Sequence, residues 1–138
     1  MGTTTRLLHN WFDQVWNQGR YEAIDQLMHP NSRFHGLGPE PLSRDDFKAF
    51  HQAFNGAFSD VQITVERCTE EGESVAAWCS CTLTHRATGK PCHFSGAVMG
   101  EIRDGKLGDG WNSFDFLGLL TQLGVVGEGV MGEALGVG

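Results

Sequence analysis

Near residue 60 the apolar pattern changes period, and that change limits the possible folds more than any other feature of the chain. Before it, Leu7, Leu8, Trp11, Phe12, Val15 and Trp16 recur at helical spacing. Gly19 then supplies a stop, and a second short helix ends at Pro30. A third helix starts at Ser43, whose hydroxyl can cap it, with Asp45 and Asp46 in the favourable first turn. Its Phe47, Phe50, Phe54, Ala57 and Phe58 form an apolar stripe that must cover something large. After the change, strand-like alternation spans 61–69, 74–85, 91–103 and 106–116, with turn signals at Glu71-Gly72 and Asp104-Gly105. Helices first and hairpin-linked strands afterwards predict an α+β fold: three N-terminal helices on one face of a strongly curved antiparallel sheet.

A chain of 138 residues suits one domain with one core and room for a ligand cavity. We place that domain at 1–124. The tail at 125–138 carries Gly127, Gly129, Gly132, Gly136 and Gly138, so no regular element is expected there. A net charge of −7 without any Lys/Arg-rich stripe argues against nucleic acid and against an anionic membrane surface as partners. The start lacks the charged and apolar pattern of a secretory signal, and no run approaches the ~20 apolar residues of a membrane span. A cytoplasmic location is the default expectation. Cys68, Cys79, Cys81 and Cys92 lack the spacing of a zinc site and are expected as small buried thiols in a reducing compartment. No metal is expected, and no phosphate loop or dinucleotide fingerprint points to a cofactor.

The last strand carries the candidate chemistry. Read with period two from Leu107, it sets Asp109, Trp111, Ser113 and Asp115 on one face. Desolvation in an apolar wall raises the pKa of a carboxylate, which makes Asp115 a candidate base for abstracting a proton from carbon. The hairpin register decides what shares that wall. A two-residue turn at Asp104-Gly105 pairs Arg103 with Lys106 and sends His93 to the opposite face from Asp115. A three-residue loop, Arg103-Asp104-Gly105, pairs Ile102 with Lys106 and puts His93, Met99 and Glu101 on the Asp115 face. The second register is favoured, because it gathers Phe94, Gly96, Val98, Gly100 and Ile102 beside Gly108, Gly110, Asn112 and Phe114 on a flat, largely uncharged face suited to burial against another subunit. His93 then lies across from Asp115 as an acid/base partner, with Glu101 and Asp109 further along. Trp16, Phe54, His35 and Trp111 complete the candidate ligand contacts. Other readings stay open: Asp115 as the cap of a helix beginning at Leu117, His35 and Asp109 as solvated surface groups, Glu101 paired outside with Arg103 or Lys106, and the two tryptophans as plain core.

Trp111, Asp115 and the run Leu117-Gly-Leu-Leu-Thr-Gln-Leu-Gly124 resemble the C-terminal signature of the SnoaL-like polyketide cyclases, within the superfamily that shares a fold with nuclear transport factor two and ketosteroid isomerase. Further matches follow in order: Val15-Trp-Asn-Gln-Gly19 with Ala23, Ile24, Leu27 and Met28; Phe34-His35; Phe58-Ser-Asp60 for a Phe-Pro-Asp turn; Thr84-His85; Thr88-Gly89-Lys90; and Arg103-Asp-Gly-Lys-Leu107. The resemblance spans roughly residues 6–124. It implies a cone with an internal pocket, a homodimer formed through the sheets, and a catalytic base at Asp115. Where some members place a histidine or other polar residue fourteen positions earlier, this chain has Glu101. The expected function is cofactor-independent proton transfer on a small, mostly apolar carbonyl compound, as an aldol-type cyclase, isomerase or dehydratase. A non-catalytic binding or dimerisation module of the same fold is the alternative. Epoxide hydrolysis ranks lower, because its Asp-Arg-Asp cluster would need an inward arginine.

Overall fold

In the computed structural model, which describes residues 2–137, the apolar face of the N-terminal helices closes one side of a five-stranded sheet. Helix α1 (Thr3–Trp11) runs on into a π-helical turn, Phe12–Asn17. Helix α2 (Ala23–Leu27) and the short strand β1 (Phe34–His35) lead to α3 (Arg44–Ala57). The strands β2 (Phe58–Glu71), β3 (Ser74–His85), β4 (Pro91–Arg103) and β5 (Lys106–Phe114) follow, then α4 (Phe116–Gln122) and α5 (Val130–Leu135). The sheet order is β1-β5-β4-β3-β2, antiparallel throughout except where β1 lies parallel to β5. The expected α+β order is what forms, with the first helix continued by the π turn and with α4 and α5 added at the C-terminus.

Local chemistry explains the helices. In the π turn the Gln18 amide donates to the Asp13 carbonyl at 2.8 Å, and the widened turn keeps Trp11, Phe12, Val15 and Trp16 all buried on one side. A capping box opens α3: the Asp46 amide donates to the Ser43 hydroxyl at 3.1 Å, and the Ser43 amide donates to the Asp46 carboxylate at 3.3 Å. Strand β1, a segment with no strand pattern of its own, is recruited because Phe34 pairs with both Leu42 and Gly110. The tail departs from expectation: α5 is a six-residue helix ended by Gly136 at φ 74°, and none of its side chains is buried.

Bulges curve the sheet. Strand β2 carries an extra residue between Ser59 and Gln62 and another between Val65 and Arg67. Strand β5 carries one near Gly108-Asp109: Ile102 pairs with Leu107, but Gly100 pairs with Gly110. The β4–β5 turn is the two-residue form, with Arg103 opposite Lys106 and with Asp104 and Gly105 both at positive φ, 52° and 78°. The favoured three-residue loop is therefore corrected. Beyond the bulge, Met99 pairs with Trp111 and Ala97 with Ser113, two residues along from the expected partners Asp109 and Trp111, so Met99, Ala97, Trp111 and Ser113 share a face as expected while their pairing is shifted. That face is the outer one. The buried side of β4 is Cys92, Phe94, Gly96, Val98 and Gly100, and of β5 it is Leu107, Gly110 and, half-buried, Asn112 and Phe114. The face expected to meet another subunit is thus the one under the helices.

Close backbone approach fixes the start of the loop after β1. Gly36 sits at φ 88°, and a Cβ there would lie 1.8 Å from the Asn112 carbonyl oxygen. Gly36→Ala is expected to lower stability by about 2 kcal/mol or more, read as an earlier urea midpoint at unchanged slope; an unchanged midpoint would show that the loop relaxes without penalty.

Candidate ligand pocket

Three groups of aromatic side chains converge between helices and sheet. From α1 and its π turn come Trp11, Phe12 and Trp16; from α3 come Phe47, Phe50 and Phe54; from the far end of the sheet and the start of α4 come Phe94, Phe114 and Phe116. They pack edge to face around a gap, as in Trp16–Phe54 (centroids 5.3 Å apart, 78°) and Phe94–Phe114 (5.8 Å, 83°). The gap leaves about 50 Å³ for the centres of water-sized molecules, room for several waters or one small ring. Leu37, Phe50, Phe54 and Phe116, each half-buried, border it. A smaller void of about 30 Å³ continues beneath it toward Leu8, Val98 and Leu107, and Trp11, Phe12, Phe34 and Asn112 line both.

Among the described residues, the lining of the larger gap holds no carboxylate, imidazole, lysine or arginine, and its polar members besides the indoles are Asn112 and Cys81; Asp109 borders the smaller void. Burial pushes the Cys81 thiol up to about 12, with neighbouring Cys79 adding to the effect, and burial with Cys68 and Glu66 nearby pushes Cys79 to about 11. Both are therefore thiols and not thiolate nucleophiles at neutral pH. No group of three or more His, Cys, Asp or Glu side chains among the described residues is placed to hold a metal ion, and no helix is long and apolar enough to cross a membrane.

The expected site residues divide between two faces. Trp16 and Phe54 line the pocket. His93, Met99, Glu101 and Trp111 are on the outer face and exposed: β4 turns its even-numbered residues toward the helices, and the β5 bulge sends Trp111 outward beside Met99. The polar backbone of His93 is held by the Gln122 side chain, which accepts from its amide at 3.0 Å and donates to its carbonyl at 2.6 Å, standing in for a neighbouring strand where β5 has ended. His35 stacks on Trp111 with centroids 5.4 Å apart and planes 5° from parallel. Asp109 locks the bulge, accepting the Arg33 amide at 3.0 Å and facing the Arg103 guanidinium at 3.4 Å. Asp115 is exposed and is the N-cap of α4, accepting the Gly118 amide at 2.8 Å. The expected desolvated carboxylate is thus corrected to a helix cap in solvent.

Residues that sequence reasoning did not single out carry the pocket: Phe12, Phe34, Phe114, Phe116 and Asn112. Their signal was the density of aromatics on α1 and α3 together with aromatics at even positions of β4 and β5. Behind Trp16 lies His51, only 2 % exposed, its ring 4.9 Å from the indole. Its Nε2 donates to the Val15 carbonyl of the π turn at 2.7 Å, so the neutral ring splints that turn.

A family description of the SnoaL-like polyketide cyclases matches residues 6–123. The chain belongs to that family. Solved structures agree on its nuclear-transport-factor-2-like cone fold. A candidate polyketide cyclase from Bacillus cereus is 26% identical with a TM-score of 0.80, over 90% of this chain and 82% of that one. IdmH of Streptomyces antibioticus, described as a candidate polyketide cyclase, is 24% identical with a TM-score of 0.80, over 89% and 99% of the two chains. AclR of Streptomyces galilaeus, described as a candidate hydroxylase, is 22% identical with a TM-score of 0.79, over 89% and 96%. No curated protein matches the chain.

Burial holds the pKa of His51 below its ordinary 6.5, and the hydrogen bond to Val15 offsets this only in part. The unfolded chain therefore takes up the proton first: the stability this group leaves intact above pH 6.5 is lost as pH falls below it. The urea midpoint of the wild type is expected to fall between about pH 6.5 and 5 more steeply than that of His51→Phe; parallel slopes would show that the imidazole is not kept neutral by the fold.

Proposed function

We propose that this chain is a cofactor-independent cyclase-type enzyme, of the isomerase or lyase class, that binds a flat, mostly apolar carbonyl compound in the aromatic pocket and promotes ring closure by holding it folded. The observation that carries this reading is the pocket itself, a half-open cavity walled by ring faces and edges, in a chain of the SnoaL-like family. Such walls favour planar ligands through area burial and aromatic contact. Holding a flexible chain with its two reacting carbons at bonding distance lowers the entropic part of the ring-closure barrier without any acid or base. The related structures described as cyclases and as a hydroxylase show that the names attached to this fold span more than one chemistry.

The non-catalytic binding module is the second reading, and the lack of an ionisable wall group among the described residues favours it. Epoxide hydrolysis finds no support, since the lining offers neither the carboxylates nor the arginine it needs. Incubation with a short linear poly-β-ketone separates the readings. Ring closure is expected to be at least tenfold faster than in buffer, to drop in Trp16→Ala and Phe54→Ala, and to be unchanged in Asp115→Asn, which keeps the cap. A rate equal to that in buffer would leave only binding, and loss of activity in Asp115→Asn would restore that residue as the base.

The outer face of the sheet is a second part of the proposal. Trp78, Met99 and Trp111 are 50 %, 53 % and 38 % exposed there and flank a shallow groove floored by Ala76 and Ala97. An apolar patch of this size on a free surface is a liability unless covered. We infer a homodimer through this face, in a reducing cytoplasm that suits four unpaired cysteines. Sedimentation equilibrium is expected to give a dimer for the wild type and a monomer for Trp78→Glu; a wild-type monomer would remove the inference.

A further inference from the structure

Among the described residues, Asn112 is the one amide side chain on the pocket wall, and the fold uses only half of it. It lies on the inner face of β5 opposite Val98, in a row with Gly110 and Phe114. Its Nδ2 donates to the His35 carbonyl at 3.0 Å, continuing the pairing of β1 with β5 by one more bond. That bond sets the amide plane. The Oδ1 atom then meets no donor among the described residues, yet no buried side-chain nitrogen or oxygen among them is left sealed without a partner. The oxygen is therefore reachable by a water-sized molecule, and Asn112 borders both the main cavity and the smaller void beneath it.

An acceptor without a donor in an aromatic wall discriminates strongly between ligands. A ligand that brings an O–H satisfies it, while one that merely displaces its water leaves it unpaired, at a cost that changes affinity by roughly tenfold. Asp or Glu at this position would impose the cost of a buried charge; the neutral amide avoids it and still accepts. We propose that Asn112 Oδ1 is a specificity element that selects aromatic ligands carrying a phenolic or enolic hydroxyl, received at the junction of the cavity and the void. This rests on the reading of the cavity as a ligand pocket.

Three single-ring probes test it by calorimetry: phenol, anisole, which keeps the oxygen but lacks the hydrogen, and benzene. The wild type is expected to bind phenol about tenfold more tightly than either of the others. In Asn112→Leu the three affinities are expected to converge, with benzene retained. Equal affinities for all three in the wild type would overturn the proposal without any variant, and a phenol preference that survives in a folded Asn112→Leu would overturn it as well. Failure of all three to bind the wild type would instead overturn the ligand-pocket reading, and the role of Asn112 with it.

Discussion

One extra residue in β5 decides which half of the molecule is a pocket. Up to the bulge, Leu107 points into the core opposite Ile102; past it, Gly110, Asn112 and Phe114 point inward. With unbroken alternation the inward set would be Asp109, Trp111, Ser113 and Asp115, a wall with two carboxylates. Asp109 holds the bulge in place through the Arg33 amide and the Arg103 guanidinium, and the Arg103 side chain lies against Gly108, where a Cβ would stand 3.1 Å from it. The acid that looked like part of an active site thus fastens the bulge that turns Trp111 and Ser113 outward. A one-residue offset of this kind exchanges the two faces of a strand completely.

The glycines follow from the same inversion. Beneath the helices, a Cβ on Gly110 would sit 3.2 Å from the Phe34 ring, and one on Gly96 would collide with the backbone and ring of Phe114. Their missing side chains let aromatic rings lie directly on the sheet, as in the Trp11–Phe34 and Phe94–Phe114 pairs. The flatness that suggested a subunit contact serves packing inside one chain. On the opposite side, Ala76 and Ala97 set a shallow floor between Trp78, Met99 and Trp111, so small residues shape both faces while only one is covered by the chain's own helices.

Much of the fold was legible because its signals were redundant. Strands 74–85 and 91–103 have both alternation and bounding turn residues, and they form at those limits. Ser43 with Asp46 announces a helix start by a mechanism that does not depend on tertiary context. The Phe stripe of α3 correctly implied a large surface to cover. The site was less legible. Leu107-Gly-Asp-Gly110 fits a regular strand and a bulged one equally well, since a bulge adds a residue without changing composition. Asp115 had two physically sound roles, and only the position of the Gly118 amide separates them. Strand β1 and the Gln122 side chain that substitutes for a strand beside His93 are tertiary recruitments, invisible to local pattern.

A gap whose described lining residues include no carboxylate, imidazole, lysine or arginine places particular demands on chemistry. Its walls cannot take a proton from the substrate, so any proton lost on ring closure must leave through solvent, the ligand's own groups or the open mouth. What the walls do supply is shape: rigid rings, a π turn splinted by a buried neutral His51, and an amide whose plane is set by the His35 carbonyl. Each of these elements removes a way for a bound ligand to move. In a reaction whose carbon acid is already activated by flanking carbonyls, the conformational search of the chain is a part of the barrier on which a rigid aromatic mould can act. A charged base in the same wall would have to be desolvated by the rings that shape the ligand, and in this strand the bulge instead commits Asp109, the aspartate of β5, to the Arg33 amide and the Arg103 guanidinium.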